Sequence, residues 1–177
     1  MIATQELKLN LGAIGEVPHG ENIPGFLTVD IRDGAEVKSP LDQLPFEDHS
    51  ASELYCSHCL EHFSHTHTVD VLKEWRRVLK PGGKAYISVP SWDQILKIIQ
   101  KAGLVEWTRY LLWGDQRDPF SYHYIVFTYP LLAANLMSAG FSDVKRIDEM
   151  PYGLADASRI QDSYYHIPIS LNIEATA

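Results

Sequence analysis

The chain has 177 residues with 15 basic and 23 acidic side chains, and its net charge of −8 opposes binding to nucleic-acid phosphates or to anionic membranes. This length suits one domain with a core of its own. Two cysteines are too few for the disulfide framework of a small secreted domain. No apolar run is long enough to span a bilayer, and the first ten residues lack the apolar core of a signal peptide. We therefore expect a cytoplasmic protein.

Short strand patterns alternate with helical patterns along the chain, which favours an α/β fold with a mainly parallel sheet. In the first half, strands are predicted at 7–11, 26–31, 53–56 and 84–89, with a short extended segment near Val37. The clearest helix is predicted over 66–80, where apolar residues recur every three to four positions. We expect the Pro-Gly-Gly sequence at 81–83 to end this helix.

The alternation continues in the second half of the chain. Ser91 and Gln94 form a predicted capping box at the start of a helix. A segment dense in aromatic side chains then spans 104–127. The remaining predicted elements are a helix that Thr128 opens and Gly140 closes, and two strands at 144–147 and 169–175.

A glycine turn and an acidic residue give the first chemical indication. Gly12 follows the first strand, and Asp30 lies 18 residues further on, at the end of the second strand. In nucleotide-binding α/β folds a carboxylate at this spacing accepts hydrogen bonds from ribose hydroxyls. The same residues also fit a purely structural role, in which the glycines form a turn and Asp30 is a solvated residue at the end of a strand. Nucleotide binding and this structural role both stay open at this point.

Three motifs in a fixed order carry a more specific signal. They are LPFEDHS at 44–50, LEHF at 60–63 and EWRRVLKPGG at 74–83, and AGF follows at 139–141. The set closely resembles class I S-adenosylmethionine-dependent methyltransferases of the small-molecule type, and the resemblance covers nearly the whole chain. A nicotinamide dehydrogenase would share the glycine turn and Asp30, but these motifs do not fit it.

The resemblance implies both a fold and an activity. The fold is a Rossmann-like doubly wound sheet of seven strands, mainly parallel with an antiparallel last strand, in a three-layer α/β/α arrangement. We expect a single domain over 1–177 with an aromatic-rich cap or insertion at 104–127. The implied activity is methyl transfer from S-adenosylmethionine to a small-molecule acceptor by in-line displacement, which leaves S-adenosylhomocysteine.

The resemblance also implies which residues bind the cofactor. Asp30 would hold the ribose hydroxyls, Ile31 would pack on the adenine, and the glycine turn would lie under the methionine and ribose. The full predicted set is Leu11, Gly12, Ala13, Gly15, Asp30, Ile31, Asp42, Leu44, Ser57 and His58.

Three features depart from the family pattern. Ile14 stands where a second glycine is common, and Pro40 stands where relatives place an aspartate for the adenine amine, a role that Asp42 would take instead. The chain also starts at the first strand, whereas many relatives have preceding helices that cover the site. We therefore expect a more open site, or a homodimer or partner subunit that completes it. A catalytically inactive, methyltransferase-like binding or scaffold protein is the alternative that these departures favour.

Histidines are the candidates for acid–base chemistry. His123 lies in the aromatic segment, and we predict it as the general base, with His58 as the second candidate. The predicted substrate contacts are Glu61, His62, Tyr122, His123 and Tyr124. The aromatic side chains at this density are also typical of a hydrophobic core. The segment as a whole could form a lid over the site or a dimer interface.

A rival pattern surrounds the two cysteines. Cys56 and Cys59 form a C-x-x-C pair, and Glu61, His62, His65 and His67 follow it closely, as in a zinc site. A second C-x-x-C pair is missing, and buried cysteines commonly pack as small apolar side chains. The sequence therefore leaves zinc binding as an alternative, and we assign no metal site from it.

Overall fold

The computed structural model describes residues 6–14, 22–154 and 156–177. Within them, seven strands form one sheet in the order β3-β2-β1-β4-β5-β7-β6. Their bounds are β1 Leu7–Leu11, β2 Leu27–Asp30, β3 Val37–Lys38, β4 Ala51–Ser57, β5 Leu79–Pro90, β6 Ser142–Ile147 and β7 Ser170–Thr176. The first five strands pair in parallel, and β7 runs antiparallel to both β5 and β6. The Rossmann-like sheet with an antiparallel last strand is thus confirmed.

Four helices connect these strands in the described part of the chain: α1 Thr68–Val78, α2 Trp92–Ala102, α3 Glu106–Trp113 and α4 Tyr129–Ser138. Short 3-10 turns lie at Leu60–His62, Pro151–Gly153 and Ala157–Arg159. None of the described helices combines the length and apolar character needed to cross a membrane.

Two local predictions about the helices need correction. Helix α1 is shorter than predicted, because Leu79 already belongs to β5 and the Pro-Gly-Gly sequence lies inside that strand. Ser91 is the N-cap residue of α2, but its side chain makes no capping hydrogen bond, so the predicted capping box is wrong. Thr128 does cap α4, since its side chain accepts a hydrogen bond from the Leu131 amide.

One face of the sheet carries the main hydrophobic core. Alternate residues of the central strands point to this face, and α1 and α4 cover it. Trp75 of α1 is fully buried there, and its indole N–H donates to the Leu41 carbonyl over 2.8 Å. Fully buried members of this core include Leu9, Leu54, Ile87, Leu72, Leu132 and Leu136.

The opposite face of the sheet is largely polar. Its side chains form the ion pairs Lys8–Glu53 and Lys84–Glu174. A small second core lies over this face, composed of Ile23, Phe26, Tyr55, Met150 and Leu154. In the described residues, none of the helices α1–α4 contributes to that cluster, which is formed by Tyr55 of β4 and by residues of loops and short turns.

The motif residues at 44–48 are attached to α1 by two of its side chains. Glu74 accepts a hydrogen bond from the Leu44 amide at 2.7 Å, and Arg77 donates to the Phe46 carbonyl at 2.8 Å. Arg77 also forms two hydrogen bonds of 2.8 Å with the Glu74 carboxylate. Glu74 and Arg77 of the motif at 74–83 therefore attach the loop at 44–48 to α1.

The Glu74→Gln substitution should reveal this anchor through its pH dependence. Hydrogen bonds from Arg77 are the main reason that the pKa of Glu74 lies below its usual value of 4.5. A carboxyl with a lowered folded pKa stabilises the protein above its unfolded pKa, and that stabilisation is lost as the pH falls through the folded pKa. We expect Glu74→Gln to lower the free energy of unfolding by about 1–2 kcal/mol at pH 7, and by less as the pH falls toward 3. Urea titrations of both proteins measure this, with the exposed Glu47→Gln as control; equal losses at both pH values would contradict it.

Candidate active site

A cavity of about 650 Å³ opens at the carboxyl ends of β1, β2 and β4. Small-molecule sites commonly span about 300–1,000 Å³, and open parallel sheets bind ligands at this edge. Most of the predicted site residues meet here. Those that line the cavity are Leu11, Gly12, Ala13, Asp30, Ile31, Asp42, Ser57, His58, Glu61, His62 and His123.

Four predicted residues are not among those that line the cavity. Gly15 lies outside the described residues. Leu44 is only 4% exposed, because its side chain packs in the main core. The rings of Tyr122 and Tyr124 are 37% and 55% exposed, and these two residues meet the site through their backbone instead.

The glycine turn after β1 is a place where only glycine fits. Gly12 has φ +68°, a left-handed conformation that side chains rarely adopt. A Cβ at this position would lie 1.9 Å from the Cys59 Sγ. Cys59 thus packs beneath the turn, whereas Cys56 points into the main core. The two cysteines serve as packing residues, and among the described residues neither of them belongs to a group of side chains that could hold a metal ion.

Asp30 is arranged to accept hydrogen bonds at the end of β2. It is 5% exposed, and its two carboxylate oxygens accept from the Ile14 amide at 3.0 Å and the Arg32 amide at 2.9 Å. A carboxylate offers about four acceptor positions. After these two bonds, the remaining positions match the two hydroxyls of a ribose, and the apolar Ile31 and Leu41 line the same end of the cavity. These residues fit an adenosine moiety.

His58 contacts protein groups through both ring nitrogens. Its Nε2 lies 2.7 Å from the Ser170 hydroxyl, which itself donates to the Ala157 carbonyl over 2.8 Å. The Ser170 oxygen must therefore accept, and His58 Nε2 must donate. The His58 Nδ1 faces the Glu61 Oε1 at 3.5 Å. This arrangement favours His123 over His58 as the acceptor of a proton.

The rings of His62 and His123 are each oriented by a hydrogen bond from Nδ1 to a backbone carbonyl. The His62 Nδ1 lies 2.9 Å from the Tyr122 carbonyl, and the His123 Nδ1 lies 3.3 Å from the Leu111 carbonyl. A carbonyl oxygen only accepts, so each Nδ1 carries the hydrogen and each Nε2 keeps its lone pair. Burial lowers the pKa of His123 to about 4, which leaves the imidazole neutral at pH 7.

Glu61 lies next to these rings and is fully buried. Neither of its carboxylate oxygens has a hydrogen-bond partner among the described residues. Burial consequently raises the pKa of Glu61 to about 8. Its contact with His58 Nδ1 at 3.5 Å is not a hydrogen bond. A buried carboxyl group without a hydrogen-bond partner is rare in folded proteins and marks a candidate functional group.

The segment 114–121 forms the far wall of the cavity. Gly114 has φ +71°, and a Cβ there would lie 1.9 Å from the Ser121 carbonyl oxygen, so this tight loop requires glycine. Arg32 links the loop after β2 to this wall through an ion pair of 3.1 Å with Asp118. Sequence reasoning missed Arg32, although it follows Asp30 and Ile31 directly, because nothing in the chain indicated a partner 86 residues away.

Comparison with known proteins adds to this geometry. Residues 25–87 match the family model of the methyltransferase domain. The structure is similar to that of an S-adenosylmethionine-dependent methyltransferase from Archaeoglobus fulgidus, with 16% sequence identity, a TM-score of 0.63, and coverage of 98% of this chain and 87% of that chain. The chain has a class I methyltransferase fold. Among curated proteins, no sequence matches it.

Two further class I neighbours bear on the site. One is in the complex between the Haloferax volcanii Trm112 methyltransferase activator and a methyltransferase, with 14% identity, a TM-score of 0.63, and coverage of 98% of this chain and 82% of that chain. The other is the Burkholderia thailandensis 1,6-didemethyltoxoflavin-N1-methyltransferase with bound 1,6-didemethyltoxoflavin and S-adenosylhomocysteine, with 18% identity, a TM-score of 0.55, and coverage of 96% and 70%. Together with the family model, these neighbours confirm the predicted resemblance to S-adenosylmethionine-dependent methyltransferases.

The matched segment covers only part of the cavity lining. Residues 25–87 contain Asp30, Glu61 and His62. Gly12, His123 and the wall at 114–121 also line the cavity or border it, and they fall outside the matched segment.

Proposed function

We propose that the protein transfers a methyl group from S-adenosylmethionine to a small-molecule acceptor within the 650 Å³ cavity. The single observation that carries this proposal is that Asp30 and His123 line the same cavity. The Burkholderia thailandensis neighbour, which has both 1,6-didemethyltoxoflavin and S-adenosylhomocysteine bound, supports a small-molecule acceptor.

The cofactor, when bound, supplies an electrophilic methyl group on a sulfonium. Asp30 accepts hydrogen bonds from the ribose hydroxyls and fixes the position of the adenosine. The neutral His123 accepts a proton from the acceptor at Nε2, while its Nδ1–H donates to the Leu111 carbonyl and keeps the ring oriented. Orientation of the acceptor along the line of displacement is the larger part of what the protein contributes.

The aromatic segment at 104–127 serves this reaction as a cover. Tyr110 and Phe120 line the cavity, and they are also 42% and 50% exposed, so they lie at its mouth. Such a cover keeps water from the reacting groups. The exposed Leu104, Val105 and Trp113 offer an apolar surface beside it, which a homodimer or partner subunit would bury. The activator complex of the Haloferax volcanii neighbour supports a partner of this kind.

Calorimetric titration with S-adenosylhomocysteine, followed by transfer assays with labelled S-adenosylmethionine, tests the proposal. We expect micromolar binding, and label transfer to at least one hydroxyl- or amine-bearing acceptor in a small-molecule panel. We expect His123→Asn to lower kcat about 10²–10⁴-fold. The same variant should leave the Kd for S-adenosylhomocysteine unchanged.

The control for that variant is His65→Asn, because His65 is exposed and does not line the cavity. No binding at millimolar S-adenosylhomocysteine would overturn the proposal and favour a scaffold protein. Turnover by His123→Asn at the wild-type rate would retain the activity but remove His123 from its role.

A further inference from the structure

A compact group of metal-ligating side chains lies on the acceptor side of the cavity. One ligand atom from each of Glu61, His62 and His123 lies within 4.8 Å of the other two. We propose that these three residues bind a divalent transition-metal ion. This assignment differs from the cysteine-based site that the sequence left open, because Cys59 packs beneath Gly12 and Cys56 lies in the core.

Glu61 gives the first independent reason for an ion. Its carboxylate is fully buried, and its oxygens have no hydrogen-bond partner in the described part of the chain. Burial of a carboxylate without a partner is strongly unfavourable, and native proteins pair such groups or use them to bind metals. A cation between Glu61 and the two imidazoles would satisfy this carboxylate.

The two histidines give the second reason. Metal-bound histidines commonly donate their other ring N–H to a backbone carbonyl or a carboxylate, which fixes the tautomer. His62 and His123 both do so through Nδ1, to the carbonyls of Tyr122 and Leu111. Their Nε2 lone pairs are therefore available as ligands, and the ring centroids lie only 5.0 Å apart.

Backbone contacts bring the three ligands together. Glu61 and His62 belong to the 3-10 turn Leu60–His62, while His123 comes from the aromatic segment. The Tyr124 amide donates to the Glu61 carbonyl at 2.8 Å, and the His62 ring donates to the Tyr122 carbonyl at 2.9 Å. The residues on both sides of His123 are thus fixed to the turn that carries the other two ligands.

The ligand set indicates the kind of ion. Two imidazoles and one carboxylate suit Zn²⁺ or Fe²⁺ better than Mg²⁺, which prefers oxygen ligands. Bond lengths of about 2.0–2.2 Å place ligand atoms at most about 4 Å apart, so the three side chains would draw inward on the ion. His58 Nδ1, 3.5 Å from the Glu61 Oε1, would orient the carboxylate as an outer partner.

The ion would leave coordination positions open toward the cavity. Here the inference rests on the proposed function, because an acceptor group bound at an open position would be oriented and polarised by the ion. In the metal-loaded protein, His123 would hold the ion, and the ion would take over the activation of the acceptor. In the metal-free protein, His123 would remain the base.

Metal titration of the purified, chelator-treated protein tests the site without any assay of activity. Co²⁺ serves as the spectroscopic probe, Zn²⁺ displaces it, and elemental analysis gives the stoichiometry. We expect one ion per chain, with affinity reduced at least tenfold in Glu61→Gln and in His123→Ala. His65→Ala and Cys59→Ala should bind the ion as the wild type does.

Circular dichroism and thermal unfolding of each variant show whether the variant is folded. Glu61→Gln replaces a buried carboxyl group by an amide of the same shape, so we expect it to fold, and Zn²⁺ should raise the Tm of the wild type more than that of this variant. Absence of bound ion, or unchanged affinity in both Glu61→Gln and His123→Ala, would overturn the site. Binding of S-adenosylhomocysteine to the chelator-treated protein is measured beside it, so a failed metal site is distinguishable from a failed methyltransferase.

Discussion

Replacement of Asp30 by alanine should weaken S-adenosylhomocysteine binding about a hundredfold, equivalent to about 2.8 kcal/mol. The loss has two sources. The ribose hydroxyls lose a charged acceptor, and each such hydrogen bond contributes about 1.5–3 kcal/mol. The Ile14 and Arg32 amides also lose the carboxylate that accepts from them, so the turn after β1 and the loop after β2 each lose an anchor. Calorimetric titration of wild type and variant measures the difference.

Two variants separate these sources. Asp30→Asn keeps the shape and one acceptor oxygen, so binding should fall by less than in Asp30→Ala. Asp33→Ala removes a nearby aspartate whose side chain is 93% exposed, and binding should stay at the wild-type level. A folded Asp30→Ala protein that binds within twofold of the wild type would show that Asp30 does not hold the ribose.

The second large effect is expected at the glycine turn. Gly12→Ala combines a left-handed backbone at φ +68° with a Cβ placed 1.9 Å from the Cys59 Sγ. We expect the free energy of unfolding to fall by about 2–4 kcal/mol, because strain and overpacking add. S-Adenosylhomocysteine binding should be lost as well, since the turn must move away from Cys59. Urea unfolding and calorimetry measure the two losses.

A double-mutant cycle identifies the cause of the Gly12→Ala effect. Cys59→Ala removes the sulfur that meets the new Cβ, so Gly12→Ala should cost less in that background. Gly103→Ala is the matched control, because Gly103 has φ +79° and open space around its position, and it reports the backbone strain alone. Equal losses for Gly12→Ala with and without the Cys59 sulfur would exclude the steric explanation.

Much of the fold could be predicted from the sequence because its elements depend on local patterns. Apolar spacing located α1 and the strand alternation located the sheet, within a few residues at each end. The cofactor side of the site was predictable for a related reason. Gly12, Asp30 and Ser57 each follow or end a parallel strand, and the carboxyl ends of such strands meet at one edge of the sheet.

The grouping of residues predicted to contact the acceptor depends on long-range contacts, which leave no local pattern in the sequence. His62 and His123 meet because the backbone at 122–124 bonds to residues 61 and 62, and no spacing rule predicts such contacts. The sequence placed Leu44 in the site because the motif at 44–50 includes it, yet Glu74 of the motif at 74–83 accepts a hydrogen bond from the Leu44 amide and the Leu44 side chain packs in the core. The tight packing of Cys59 under Gly12 likewise joins residues that are 47 positions apart.

The two outer layers of the sheet differ in strength, and one of them contains part of the cavity wall. The face covered by α1 and α4 buries a large, continuous apolar core, whereas the opposite face carries a cluster of only five buried residues. Regions with few buried apolar contacts open at lower free energy than the rest of a protein. Leu154 belongs to that small cluster and also lines the cavity, followed by Asp156 and Ala157. Within the described residues, the cavity wall at Leu154, Asp156 and Ala157 is therefore the part of the lining that we expect to open at the lowest free energy, while the parallel strands on the other side of the cavity stay paired.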